Sequence, residues 1–122
     1  MEISDLIGMP YTKEHDCNWL ASVATKRAGV NYHNVETPES KDDWPKQFRK
    51  VLLEHYKKTK TPKEGDLVVF AIPDGKETGW HCGVVTRPGW MVTTRGTVGV
   101  HLARLNNPLW QVTVRGFYEF VA

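Results

Sequence analysis

The sequence predicts an α+β fold, with helices first and an antiparallel sheet after them. Two observations predict it: apolar residues recur at helical spacing in two stretches before residue 60, and strand-like runs dominate after Gly65. At 122 residues the chain is read as one domain, residues 1–122, because a second core would have too few residues to bury. Apolar residues at 40% and charged residues at 25% are ordinary globular values and exclude a wholly disordered chain.

The first helix is expected over residues 17–28. Cys17, Leu20, Ala21, Ala24 and Ala28 fall on one stripe, Asp16 is available as N-cap and Gly29 as the stop. Lys26 and Arg27 suit the negative end of its dipole. Residues 30–44 read as a polar loop. A second helix is expected from Pro45 to Lys58, where Phe48, Val51, Leu52, His55 and Tyr56 share a face and proline is tolerated at a first helical position. The period then changes. Residues 66–72 read as a buried strand ending at Pro73, Asp74 and Gly75, while Cys82 to Thr86 and Trp90 to Thr94 flank Arg87, Pro88 and Gly89 as a hairpin. Residues 98–105 and 112–121 add two more strands, and the first helix is most easily buried against the sheet.

Charge narrows the function classes. Residues 1–60 carry 10 basic and 9 acidic side chains and residues 61–122 carry 6 and 5, so neither half is a nucleic-acid arm. The one bias, Lys46 to Lys63, has seven basic residues against Glu54 and reads as a solvated helix face. No basic and apolar leader is visible at the N-terminus, so synthesis in the cytoplasm is expected. No apolar run approaches the roughly 18 residues of a membrane span, so no membrane insertion is expected. Cys17 and Cys82 cannot build a disulfide framework, and both are expected to be free thiols.

A thiol with a task is then the question. The thiolate is the nucleophile, and the positive end of a helix stabilises it; Cys17 occupies that place. His81, at the entrance to a strand, can supply the base if the sheet packs on the Cys17 helix. Strand alternation sends Cys82 to the opposite face, where it reads as a small buried apolar residue. His15, His33 and His55 read as loop or surface residues. A zinc site drawn from Cys17, His81, Cys82 and His101 lacks any recognised ligand spacing, so no metal and no cofactor is expected. Of Trp19, Trp44, Trp80, Trp90 and Trp110, most are expected in the core, with Trp80 or Trp90 left to line a groove.

The order Pro10-Tyr11, Asp16-Cys17, an amphipathic helix, residues 62–70 (PKEGDLVVF), residues 81–85 (HCGVV) and Gly99-Val100 resembles the NlpC-type papain-like cysteine peptidases over about residues 8–121. The resemblance implies a papain-like core and hydrolysis of amide bonds in peptidoglycan stem peptides or cross-links, with Cys17 as nucleophile and His81 as base. It implies an oxyanion site formed by the Cys17 N–H and the Tyr11 hydroxyl, although Tyr11 stands closer to Cys17 than the family's tyrosine usually does. Asp16, Asn18 and Trp80 are the expected substrate contacts. The family's third polar residue aligns best with Thr93, His101 being the alternative. Threonine replaces a usual histidine there, and Asn18-Trp19 replaces a usual Ser-Gly, so a Cys/His dyad is the safer reading. The resemblance extends to secreted amidase effectors of type VI secretion systems and to phage tail-tip peptidases. The effector reading implies delivery to the periplasm or cell wall, peptidoglycan peptides as substrate and an immunity protein as partner. A monomer is expected. A structural or assembly protein that kept the fold after its site decayed is the rival reading.

Overall fold

The computed structural model describes residues 1–36, 39, 43–74 and 77–122. Helix α1 (Cys17–Arg27) starts where Asp16 caps it, its side chain accepting the Trp19 N–H at 2.9 Å. The helix ends at Arg27, one residue short of the expected end, with Ala28 as its C-cap and Gly29 in the left-handed region behind it. Helix α2 (Trp44–His55) has Pro45 in its first turn, as expected, and ends three residues early. Residues Tyr56–Thr59 form an edge strand, β1, rather than a last helical turn. Tyr56 is buried in the extended conformation, where its ring meets Phe120 edge-on at 5.4 Å while the backbone pairs with the C-terminal strand.

The remaining strands are β2 (Leu67–Asp74), β3 (Glu77–Arg87), β4 (Trp90–Arg95), β5 (Gly99–Arg104) and β6 (Val114–Phe120), with a one-turn helix α3 (Pro108–Gln111) before β6. The expected final strand from residue 112 begins late because Val112 and Thr113 donate their N–H groups back to Pro108 O and Trp110 O, in a turn that follows α3. β2 runs on through Pro73, where a turn was expected. Its pairing with β6 ends at Phe70↔Val114, so proline there costs no ladder bond on that side. Gly75, the other end of the expected turn, and residues 37, 38 and 40–42 of the expected loop lie outside the described residues.

The sheet order is β1-β6-β2-β3-β4-β5, with every pair antiparallel. One face carries the larger core, in which Leu20, Ala21 and Ala24 of α1 and Phe48, Val51 and Leu52 of α2 pack with Leu67, Val69, Cys82, Val84, Val92 and Val100. The opposite face carries Val68, Phe70, Val85, Met91, Ala103 and Trp110. Alternation along each strand accounts for the division.

Two features position the site. Residues 8–10 run along the free edge of β5, with Gly8 N–H on Val100 O and Val100 N–H on Met9 O, both at 2.9 Å. Gly99 allows this approach: its φ is +73° and a Cβ there would stand 2.5 Å from the Met9 carbonyl. The second is an opening in the sheet. β3 pairs with β4 from Arg87↔Trp90 to Val84↔Val92, whereas β3 pairs with β2 down to Asp74↔Glu77 and β4 with β5 down to Arg95↔Gly99. Beyond Val84 the two strands are linked through a side chain, the Thr93 hydroxyl donating to the Cys82 carbonyl at 3.1 Å.

Candidate active site

Helix α1 packs on both β3 and β4, and its first residue lies against β3 beyond the last β3–β4 pair, where the Cys82 thiol donates to the Cys17 carbonyl at 3.5 Å. Cys17 is the first residue of that helix and is half-buried. The first-turn N–H groups of a helix have no partner within it, which leaves the Cys17 N–H free to serve an oxyanion. Asp16, expected to contact substrate, has its side chain committed to capping the helix through Trp19 N–H.

The Cys17 thiol is held down to about 5 from an ordinary value of 9.0, first by a hydrogen bond from the Cys82 thiol and then by hydrogen bonding and charge from the His81 imidazole, against the opposing effect of burial. Cys82 is pushed well above its ordinary value by that same contact and by burial, and keeps its proton. Of the two cysteines, the one at the helix start is therefore the anion near neutral pH.

His81 is half-buried and its ring stacks on Phe70, centroids 5.8 Å apart and planes at 17°. Phe70 belongs to the face opposite α1, so alternation does place His81 and Cys82 on different faces of β3. The faces are assigned the other way from expectation: Cys82 is the residue on the α1 side. The Cys82 thiol donates to the Cys17 carbonyl at 3.5 Å, and both side chains lower the Cys17 thiol from the part of β3 beyond its last pair with β4. No sequence period signals such an opening. Among the described residues the buried His81 Nδ1 has no hydrogen-bond partner. Thr93, the expected third residue, is fully buried and its hydroxyl donates to the Cys82 carbonyl rather than orienting the imidazole. His101, the alternative, is cross-strand from Thr93 and uses Nδ1 on the Gly99 carbonyl at 2.8 Å. The imidazole plane is thus kept by stacking on Phe70.

The Tyr11 hydroxyl is pushed above its ordinary value by partial burial and then by the Cys17 charge, so it keeps its proton, and the side chain is 37% exposed. Asn18, also expected to touch substrate, is buried with its amide turned inward. Its Nδ2 donates to Val35 O at 2.6 Å, and its Oδ1 accepts Val35 N–H at 3.2 Å and the Tyr32 hydroxyl. Asn18 therefore fixes the segment after α1, a role favoured by burial of both its donor and its acceptor. Trp80 is half-buried on the α1 side, its ring 6.1 Å from that of Phe48. Among the described residues no group of three or more His, Cys, Asp or Glu could hold a metal ion.

The NlpC/P60 family model matches residues 7–119. Among solved structures, the chain is similar to one described as similar to a lipoprotein of the NLP/P60 family from Staphylococcus aureus subsp. aureus Mu50, with a TM-score of 0.61 and 17% identity over 97% of this chain. The match spans 38% of that protein, and at this identity it shows the fold. No curated protein sequence matches the chain.

Proposed function

The chain belongs to the NlpC/P60 family, whose members are generally cysteine peptidases or amidases, and we propose that it hydrolyses an amide bond in the peptide part of bacterial peptidoglycan. What supports this reading is a cysteine at the capped start of α1, held against β3 by the Cys82 thiol, whose own thiol is lowered in part by an imidazole from 64 positions along the chain (81 − 17).

In the proposed reaction the Cys17 thiolate attacks the amide carbonyl. The Cys17 N–H and the Tyr11 hydroxyl stabilise the oxyanion, and His81 gives a proton to the leaving amine. His81 then activates the water that releases the acyl group from sulfur, regenerating the thiol. Thr93 has no direct part and Trp80 borders the groove.

As the setting we propose an antibacterial effector acting in the periplasm of a target cell; the pair without a third histidine supports it, as it matches the effector amidases more closely than the histidine-oriented pattern. Digestion of purified sacculi tests the chemistry. Wild-type protein is expected to release new peptide ends identifiable by mass spectrometry and Cys17→Ala to release none. Muropeptides left intact by both would favour the decayed-site reading. Directing the protein to the periplasm of a test bacterium checks the setting: lysis is expected there and absent with the cytoplasmic form.

A further inference from the structure

We infer that the outward face of helix α2, with the edge strand β1 that follows it, is a docking surface for a linear phosphodiester polymer without bases, held by charge alone. Docking there is separate from the chemistry proposed at Cys17.

Helix α2 turns Phe48, Val51 and Leu52 to the core, and Lys46, Arg49, Lys50 and Leu53 lie on the other side. All four are exposed, Leu53 at 85%. They recur at i, i+3, i+4 and i+7, so they form one stripe along the helix. Past the helix end, Lys57, Lys58 and Lys60 are exposed too, on and just after the outermost strand of the sheet. Residues 46–60 thus carry six cations against Glu54 alone. Among the described residues none of the six has an ion pair: Glu54 stands 3.6 Å from His55, and Glu119, cross-strand from Lys57, is held by Lys63 at 3.2 Å.

This row works against the helix that carries it. Lys46 lies at the positive end of the dipole, in a first turn with no acidic residue, and Asp43 at the N-cap makes no capping hydrogen bond. Lys46 also meets Arg49 and Lys50 at i+3 and i+4, the spacings at which like charges repel. Helix α1 shows the opposite arrangement, with Lys26 and Arg27 in its last turn. A face that is merely solvated interleaves both signs, because such pairs support the helix. Cations kept at a cost to local structure point to an anion outside the chain.

The side chains select among anions. Five of the six cations are lysines, point charges suited to phosphate, whereas arginine is the residue that forks onto carboxylates. The rings of this stretch are engaged, Phe48 and Tyr56 in the core and His55 stacked on His33 at 3.7 Å, so bases have nothing to stack on. Insertion into a bilayer needs the apolar face of a helix, and α2 has buried its own against the sheet. Leu53 alone is too little apolar surface for the centre of a protein interface, where lysine is also depleted. What remains is a flexible chain with a charge on each short repeat, matched to cations roughly 5–6 Å apart along the helix. On its inner side the same helix reaches the candidate site, the Phe48 ring standing 6.1 Å from that of Trp80, next to His81.

Calorimetric titration of the whole chain with poly(glycerol phosphate) over a series of salt concentrations tests this. For wild type, log affinity is expected to fall against log salt with a slope of about −3 to −4, the value for about four to six phosphate contacts. Lys46→Gln, Arg49→Gln and Lys50→Gln combined should bind about tenfold more weakly at about 50 mM salt, with a slope shallower by about 2. Three exposed cations removed elsewhere, as Lys26→Gln, Arg104→Gln and Arg115→Gln combined, should leave the slope unchanged. The α2 variant should also unfold at the same or a higher urea midpoint than wild type, since repulsion is relieved. A lower midpoint would mean that the charges serve the fold, and would overturn the inference. No binding by wild type overturns it, as does an equal loss in both triple variants, which would make net charge the cause. Tighter binding to oligodeoxythymidylate, polyglutamate or phosphatidylglycerol vesicles than to poly(glycerol phosphate) overturns it in favour of nucleic acid, acidic polypeptide or membrane. Cys17→Ala should bind as wild type does, so failure of docking and failure of the proposed hydrolysis are read separately.

Discussion

The two strands that part beneath helix α1 contribute different things. β3, on one side of the opening, carries His81 and Cys82, both of which lower the Cys17 thiol. β4, on the other side, carries Thr93 and Thr94, both fully buried, and Thr93 spends its hydroxyl on the β3 backbone. Pairing with β2 holds β3 rigid along its length, yet on its β4 side it is free of the ladder beyond Val84. Chemistry is thus placed on a strand anchored on one side and open on the other, and the neighbouring strand keeps the opening from spreading.

Substitutions on the two sides should sort accordingly. Cys17→Ala should remove hydrolysis altogether, since it removes the attacking sulfur; sacculus digestion reads this directly. On the β3 side, His81→Gln should lower kcat by about 10²–10⁴ with little change in KM, because the proton to the leaving amine is needed in the transition state. Tyr11→Phe, on the segment that follows the β5 edge, should cost about 10²–10³ in kcat as one oxyanion donor is lost. An unchanged rate would take Tyr11 out of the site.

On the β4 side the effect should appear in stability. Thr93→Val leaves the buried Cys82 carbonyl without its partner and should lower unfolding free energy by about 1–3 kcal/mol in a denaturant titration, with a smaller loss of rate than at His81. If Thr93→Val instead matched His81→Gln in rate at unchanged stability, the division between the strands would be wrong. A further prediction concerns pH. A folded-state thiol held near 5 against an ordinary unfolded value stabilises the fold above that unfolded value and loses the contribution as pH falls through 5. Wild type should therefore gain stability over Cys17→Ala as pH rises from about 5 to about 8.

Much of this arrangement was legible along the chain. Asp16 before an apolar stripe marks the start of α1 and so the placement of Cys17, and Arg87-Pro88-Gly89 between two apolar runs marks the hairpin. These signals are local. Tyr56 reads as helical from the sequence because a single apolar aromatic residue fits the end of a helix as well as the start of an edge strand, and only pairing with β6 decides. Cys82 was sent away from the thiol on a correct period with the faces reversed, since which face α1 covers depends on the assembled sheet. Asn18 beside the nucleophile reads as a substrate contact until Val35 and Tyr32, far along the chain, are seen to occupy its amide.

The account depends most on the state of one sulfur atom, which can be followed in the native protein by the ultraviolet absorbance of the thiolate during a pH titration, with Cys17→Ala as the blank. The predicted result is a step near 5 that the blank lacks. A first thiolate step in the ordinary range of a cysteine, near 9.0, would contradict it.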